Sequence, residues 1–265
     1  MRVKCRSFML LAVISALFFF PRTVSAAEQE YDFNRNSSVT IEDSSCYAVS
    51  GSYTWLKYTP KADGYLTVKA SGLYGASEGS KGYLALYSST KSMILSSKSI
   101  FYNTGNKGKP YWYEIAFGLQ KGRTYYIRVK GETGVKLSRT FKKVKRKSGE
   151  SKAKAKNLKK NRTVTGMIPA GVSNADWYKV KITKKQKLRL YYGAKTRGSF
   201  KISVYSDRQL FGSRNIYYTQ KQQKLTVSLK QTPSSKKAGL DAGTYYIKVE
   251  RANQDSSGFY KLKWE

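Results

Sequence analysis

The chain has 265 residues, with 50 Lys+Arg against 16 Asp+Glu and no histidine, so its formal net charge is +34 at pH 7. The absence of histidine excludes Ser-His-Asp and Cys-His catalysis and the usual zinc ligand set. Such a charge excess creates a long-range field that attracts polyanions. Outside a cell these would be anionic wall polymers, anionic lipid head groups, acidic glycans or released nucleic acid.

Residues 1–26 are predicted to be a secretory signal peptide. Arg2, Lys4 and Arg6 form a positive n-region, residues 7–20 are almost unbroken apolar, and residues 24–26 supply small side chains for a cleavage site. An uncleaved signal anchor is the alternative, and the cleavage site argues against it. We expect a secreted protein, extracellular or held non-covalently at the cell surface. No second apolar run of membrane-spanning length follows.

Signal cleavage would change both the charge and the cysteine count. It removes four basic and no acidic residues, which leaves 46 Lys+Arg against 16 Asp+Glu and a net charge of +30. Cys46 becomes the only cysteine, so an intramolecular disulfide is excluded. Its thiol is then either a small buried side chain or a link to another chain.

After the signal, residues 27–37 are interpreted as an extended polar leader and residues 38–143 as a first β-sandwich. Apolar and polar side chains alternate in short runs, as in residues 66–70, where Leu66, Val68 and Ala70 share one phase. A period of two with one apolar face indicates antiparallel sheets with a single buried side. Gly, Ser, Asn and Lys clusters separate the runs, and no amphipathic helix is predicted in the mature chain.

Residues 144–160 are interpreted as a basic linker and residues 161–265 as a second β-sandwich. The linker is poor in apolar residues and is therefore predicted to be mobile. Residues 124–129 (TYYIRV) are nearly repeated by residues 244–249 (TYYIKV), and Trp55 has a counterpart in Trp177. Offsets close to 120 positions indicate that a whole domain was duplicated. The predicted fold class is therefore all-β, with two jelly-roll-like antiparallel β-sandwich domains in tandem.

The second repeat resembles a known bacterial family. Its motifs are residues 176–180 (DWYKV), 243–249 (GTYYIKV) and 258–262 (GFYKL), which are similar to those of the pre-peptidase C-terminal domain. The first repeat is a divergent copy, with Thr54 at the position of the motif aspartate. The resemblance implies a jelly-roll-like β-sandwich without catalytic activity, of a kind often attached to secreted proteases. No peptidase accompanies the modules in this chain.

Two sets of residues are candidates for binding. Flexible lysines suit point-charge contacts with a row of phosphates, although the same residues could form a solvated spacer. Outward-phase tyrosines can stack on sugars or bases, although cross-strand tyrosine pairs also stabilise exposed sheet faces. The polyanion candidates are Lys142, Lys143, Lys145, Arg146, Lys147, Lys152, Lys154, Lys156, Lys159 and Lys160. The possible glycan-stacking residues are Tyr65, Tyr126, Tyr191, Tyr205 and Tyr246.

These patterns favour a secreted, non-catalytic surface protein retained by attraction to anionic cell-wall polymers or an acidic glycan. No cofactor and no metal is expected, because the acids are scattered and no Asp-rich loop is present. The alternative is an adhesin for carbohydrate or a host protein that uses exposed tyrosine faces. A secreted hydrolase would need a carboxylate pair that the sequence does not identify. Nucleic acid stays a possible partner, although no recognition motif supports it.

Overall fold

The computed structural model describes residues 28–41, 54–74, 78–103, 111–131, 133–217, 222–227 and 239–265. The predicted signal peptide and Cys46 lie outside these ranges. All regular elements within them are β-strands, and the predicted all-β sandwich fold is confirmed. The described part of the chain contains no helix long and apolar enough to cross a bilayer.

The first half of the described chain forms two sheets from ten strands. These strands are β1 (Gln29–Asp32), β2 (Ser38–Ile41), β3 (Thr54–Tyr58), β4 (Gly64–Tyr74), β5 (Lys81–Tyr87), β6 (Met93–Tyr102), β7 (Tyr111–Trp112), β8 (Glu114–Leu119), β9 (Tyr125–Gly131) and β10 (Gly134–Lys143). A six-stranded sheet has the order β1-β3-β9-β5-β6-β7, and a four-stranded sheet has the order β2-β10-β4-β8. All pairs are antiparallel except β1 with β3.

The second half forms a further pair of sheets from nine strands. These strands are β11 (Lys156–Asn157), β12 (Val164–Ile168), β13 (Asp176–Ile182), β14 (Leu188–Arg197), β15 (Phe200–Tyr205), β16 (Leu210–Ile216), β17 (Gln223–Val227), β18 (Gly243–Arg251) and β19 (Ser257–Trp264). The strand orders are β11-β13-β18-β15-β16 and β12-β19-β14-β17. Here too the first strand, β11, pairs in parallel, with β13.

The two halves repeat one topology. The order β1-β3-β9-β5-β6 corresponds strand for strand to β11-β13-β18-β15-β16, and β2-β10-β4-β8 corresponds to β12-β19-β14-β17. Within the described residues, β7 alone has no counterpart. The topology therefore agrees with the duplication that the sequence offsets indicate, and we call the two halves the first and the second sandwich.

Each sandwich has its own apolar core, built from the inward phase of its strands. Leu66, Val68 and Ala70 are buried in the first core, as their alternation predicts, and Leu188 and Leu190 are buried in the second. Burying each large aliphatic side chain contributes roughly 1.5–3 kcal/mol. Packing of this kind stabilises each sandwich.

The predicted extended polar leader contains a strand. Within residues 27–37, β1 pairs with β3, and Phe33 lies fully buried in the first core. The sequence does not indicate this pairing, because one apolar residue among polar ones gives no periodic signal. An edge strand that pairs along one side needs only such an anchor.

The predicted mobile linker is also ordered, since residues 144–160 pack on the sandwiches. Val144, Ala155 and Leu158 are buried, and Gly149 and Trp177 exchange both backbone hydrogen bonds at 2.9 Å. The prediction failed because average composition hides three widely spaced apolar anchors in a lysine-rich background. By topology this segment is the counterpart in the second sandwich of residues 28–33 in the first.

The two sandwiches contact each other through β8 of the first and residues 168–171 and β19 of the second. The Gly118 N–H donates to Ser257 Oγ at 2.8 Å, and the Gly118 carbonyl accepts from Ala170 N at 2.9 Å. Asp255 accepts from Ser96 N at 2.7 Å and from Ser96 Oγ at 2.8 Å. These bonds join the sandwiches on one side of the connecting segment.

Candidate functional site

The ten basic candidates separate into groups with different surroundings. Lys142, Lys143, Lys145 and Lys147 are exposed and line a cleft where the sandwiches meet. Arg146 lies half-buried and forms an ion pair within the protein. The other five basic candidates lie on the second sandwich. They are Lys152, Lys154, Lys156, Lys159 and Lys160.

We call the cleft between the sandwiches the junction cleft. Its volume is about 420 Å³. Its lining consists of Tyr65, Lys142, Lys143, Val144, Lys145, Lys147, Thr163, Val164, Thr165, Phe259 and Lys261. Five of these eleven residues are lysines and none is acidic, so its surface is strongly positive.

Alternation along the connecting segment explains why lysines face the cleft. Strand β10 ends at Lys143, and the next residue, Val144, is buried and donates its N–H to the Asp63 carbonyl at 2.9 Å. Arg146 and Ser148 also turn inward, whereas Lys145 and Lys147, which alternate with them, are exposed. In this extended backbone, alternate side chains therefore pack on the second sandwich, and the lysines between them point into the cleft.

The inward phase is held by a buried carboxylate. Asp176 is fully buried, and its Oδ1 accepts from Arg146 Nη2 at 2.6 Å, from Arg146 Nε at 3.1 Å and from Ser148 Oγ at 2.6 Å. Its Oδ2 accepts from Tyr260 Oη at 2.6 Å, and that hydroxyl lies 2.9 Å from Tyr178 Oη. Burial, together with the neighbouring Asp176 carboxylate, raises the pKa of both phenols. The aspartate thus ties the segment to the second sandwich.

An aromatic pair forms the floor of the junction cleft. The rings of Tyr65 and Phe259 stack with their centroids 3.7 Å apart and their planes 14° apart, and they pack with Val144 and Met167. Tyr65 lies on the outward phase of β4, as predicted, but its ring is buried and is not exposed for stacking on a glycan. Its side chain does point away from the core of its own sandwich, but the second sandwich covers that face.

The other four tyrosine candidates are half-buried and do not form one surface. Tyr126 packs edge-on against Trp55, with ring centroids 6.1 Å apart, in the first sandwich. Tyr205 and Tyr246 are cross-strand neighbours on β15 and β18. Tyr191 lies on β14, in the other sheet of the second sandwich. The structure therefore brings together two of the five predicted stacking residues.

Lysines cover several of these aromatic rings. Lys152 Nζ lies 4.8 Å from the ring centroid of Tyr246, and Lys263 Nζ lies 4.8 Å from that of Tyr191. The Lys152 ammonium also donates to the carbonyls of Ser206 and Asp207, at 2.9 and 2.8 Å. Lys152, predicted as a polyanion contact, is thus engaged within the second sandwich.

Sequence reasoning missed both part of the cleft and the most exposed aromatic run. Lys261, Thr163 and Thr165 line the junction cleft but lie outside the basic segment, and only the folded chain brings them there. Tyr111 and Trp112 of β7 are 60% and 39% exposed, and Tyr113 beside them is 46% exposed. Three consecutive aromatic residues after Pro110 were a signal that could have been used.

The clefts of the described residues hold few carboxylates. Three surface clefts contain at most one carboxylate each: none in the junction cleft, Glu265 in a cleft with Lys160, and Glu250 in a cleft with Ser173. No group of three or more His, Cys, Asp or Glu side chains in this part of the chain could hold a metal ion.

No protein-family model matches the chain, and no curated protein matches it. Several solved structures are similar to it. The pre-peptidase C-terminal domain of a collagenase from Bacillus anthracis is 11% identical and has a TM-score of 0.30, with 42% of this chain and 93% of that chain covered. The CBM22-1-CBM22-2 tandem of Paenibacillus barcinonensis Xyn10C is 8% identical and has a TM-score of 0.27, with 79% and 80% covered.

The CUB1-EGF-CUB2 segment of human MASP-1/3 is 8% identical and has a TM-score of 0.24, with 87% of this chain and 100% of that chain covered. A pre-peptidase C-terminal domain is therefore among the structures similar to this chain, as the sequence motifs predict. At these identities and TM-scores the similarities carry no argument about function. The fold follows from the strand pairings of the chain itself.

Proposed function

We propose that this chain is a secreted, non-catalytic binding protein of bacterial origin. It is retained at the cell surface by electrostatic attraction of its lysines to anionic cell-wall polymers. The observation that carries the proposal is the junction cleft, whose lining has five lysines and no acid. The whole-chain excess of 50 Lys+Arg over 16 Asp+Glu supports it, because the surrounding field also favours polyanions.

Retention of this kind has a measurable signature. Each phosphate that a lysine neutralises releases a condensed counterion, so affinity falls steeply as salt rises. For six to ten such contacts, binding to nucleic acid weakens by about 10³–10⁵ between 50 and 200 mM salt. We expect a steep salt dependence of the same kind here, with a smaller slope per contact, because a single polymer chain has a lower charge density than duplex DNA.

The direct test is binding of residues 27–265 to purified Gram-positive cell walls across a salt series. The walls are used before and after extraction of teichoic acid. Loss of binding on extraction and at high salt is the expected result. Binding that neither extraction nor salt changes would contradict electrostatic retention.

An adhesin is the second candidate, and the exposed run at Tyr111, Trp112 and Tyr113 favours it. Exposed aromatic rings stack on the apolar faces of sugars or fill pockets on protein partners. An adhesin of this kind would bind a neutral glycan or a host protein saturably and with little salt dependence. Trp112→Ala should then abolish binding without unfolding the chain, whereas it should leave wall retention unchanged.

A further inference from the structure

We propose that the junction cleft is a defined binding site for consecutive phosphodiester groups of one polymer chain. This inference rests on the proposed function and narrows it. Retention by diffuse charge would make all exposed lysines equivalent, whereas a defined site concentrates binding at the lysines that line the cleft.

The first argument is that the cleft lysines lack carboxylate partners. Seven lysines elsewhere form ion pairs within 4.0 Å: Lys57, Lys91, Lys152, Lys185, Lys195, Lys248 and Lys263. Among the described residues, none of the five cleft lysines does so, and neither do the outer lysines Lys154, Lys156, Lys159 and Lys160. The cleft differs from them in gathering five such lysines around one concave surface. Five ammonium groups on one concave surface repel one another, and an anion bound among them relieves that repulsion.

The second argument is that the cleft is built before a ligand arrives. Val144 packs under it, Asp176 holds Arg146 and Ser148 on the inward phase, and Tyr65 stacks on Phe259 across the two sandwiches. The backbone that carries the lysines is therefore already ordered. Binding then costs mainly the conformational freedom of the lysine side chains that it immobilises.

The third argument is the chemistry of the lining. No arginine lines the cleft, so the two-pronged recognition of phosphate or carboxylate that a guanidinium provides is missing. The lysine ammonium groups are instead point charges that bind phosphate oxygens, and the hydroxyls of Thr163 and Thr165 add donors for the same oxygens. The Tyr65–Phe259 floor offers an apolar surface for the carbon spacer between two phosphates. A volume of about 420 Å³ holds a few such repeats rather than a whole polymer.

Two variants with the same charge change test the site. The cleft variant carries Lys142→Gln, Lys143→Gln, Lys145→Gln and Lys147→Gln. The outer variant carries Lys154→Gln, Lys156→Gln, Lys159→Gln and Lys160→Gln. All eight lysines are exposed, so both variants should fold, and far-ultraviolet circular dichroism and thermal melting verify this. A third variant, Lys261→Gln, changes one cleft lysine on a different strand.

The probe is a glycerol-phosphate oligomer of fixed length, with a polyglutamate of equal charge as the comparison. We expect the cleft variant to bind the oligomer at least tenfold more weakly, and the outer variant to stay within about threefold of the parent. Four lost contacts at about 0.7 each should lower the slope of log affinity against log salt by about 3. Lys261→Gln alone should weaken binding by about threefold and lower the slope by about 0.7.

The possible failures separate the two proposals. Equal losses in the cleft and outer variants would overturn the defined site and leave electrostatic retention standing. Equally tight binding of polyglutamate, with the same dependence on the cleft lysines, would overturn the assignment to phosphate. Binding of the oligomer that is insensitive to both salt and variants would overturn electrostatic retention itself.

Discussion

Replacing Asp176 by alanine should release the basic segment from the second sandwich. Asp176 is fully buried and accepts hydrogen bonds from three side chains, those of Arg146, Ser148 and Tyr260. The alanine variant keeps all the donors and removes their common acceptor. It therefore leaves a cation without a partner at the surface of the core, which is the costly way to break such a pair.

The loss of stability in the Asp176→Ala variant depends on how exposed each of the three donors is. Breaking a buried ion pair from one side costs about 3–5 kcal/mol, and the Arg146 side chain is 24% exposed, so solvent offsets part of that cost. Tyr260 is fully buried but keeps the Tyr178 hydroxyl at 2.9 Å as a partner. We therefore expect the free energy of unfolding to fall by about 3 kcal/mol. Asp176→Asn keeps an acceptor and should cost about half as much.

Native-state hydrogen exchange and urea unfolding measure this change. The amides of Gly149 and Leu158 bond to Trp177 and Lys179, so they should lose protection if the segment detaches. Asp207→Ala is the matched control, because that carboxylate is 76% exposed and lies 3.8 Å from its lysine; it should change stability by less than about 0.5 kcal/mol. An Asp176→Ala variant as stable as the parent, with Gly149 still protected, would refute this account.

Three further predictions concern the second sandwich and the junction. Burial raises the folded-state pKa of Tyr178 and Tyr260, so above pH ~10 the unfolded chain loses these protons first and the free energy of unfolding falls as pH rises. Tyr178→Phe removes one of the two phenols, so its free energy of unfolding should fall less steeply, by about 1.4 kcal/mol per pH unit. Urea unfolding at pH ~9–11.5 measures the difference. Gly166→Ala would place a Cβ 2.1 Å from the buried Tyr260 ring and should cost about 1–3 kcal/mol, whereas Gly212→Ala, with nothing within 4 Å, should melt like the parent. Gly118→Ala would place a Cβ 2.3 Å from the Ile168 backbone oxygen of the other sandwich, so the two sandwiches should separate and small-angle scattering should show a larger radius of gyration. An unchanged radius would contradict the close contact of the sandwiches at Gly118.

The features that sequence predicted well are those with a short period. Alternation over Leu66, Val68 and Ala70 identified both the strand and its buried face, because one sheet face must exclude water. The near-identity of residues 124–129 and 244–249 predicted the duplicated topology, because strands of similar sequence in the same order along the chain form sheets of the same strand order. These signals are local, so a single chain displays them.

The errors lie where a few contacts override the local pattern. In residues 144–160 one valine, one alanine and one leucine fix the backbone, and a composition average gives them little weight. Tyr65 was a stacking candidate because alternation describes one sandwich at a time and cannot show which outward-phase residues a second sandwich covers. Lys261 joins the junction cleft from more than a hundred residues away, and only the packing of the two sandwiches makes it a neighbour of Lys145.

The duplication also explains why the junction cleft carries lysines. Each sandwich begins with a parallel edge strand, β1 in the first and β11 in the second, and side chains beside it reach buried positions of the sandwich. Around β1 the charged residues include acids, and Glu30 pairs with Lys57 at 3.6 Å. In the second copy the covering chain must also connect the sandwiches, so one phase packs on the protein while the other faces the gap. Lysines at the positions that face the gap disturb no core contact. The same segment therefore packs on the second sandwich through its inward residues and makes the junction cleft positive through its outward ones.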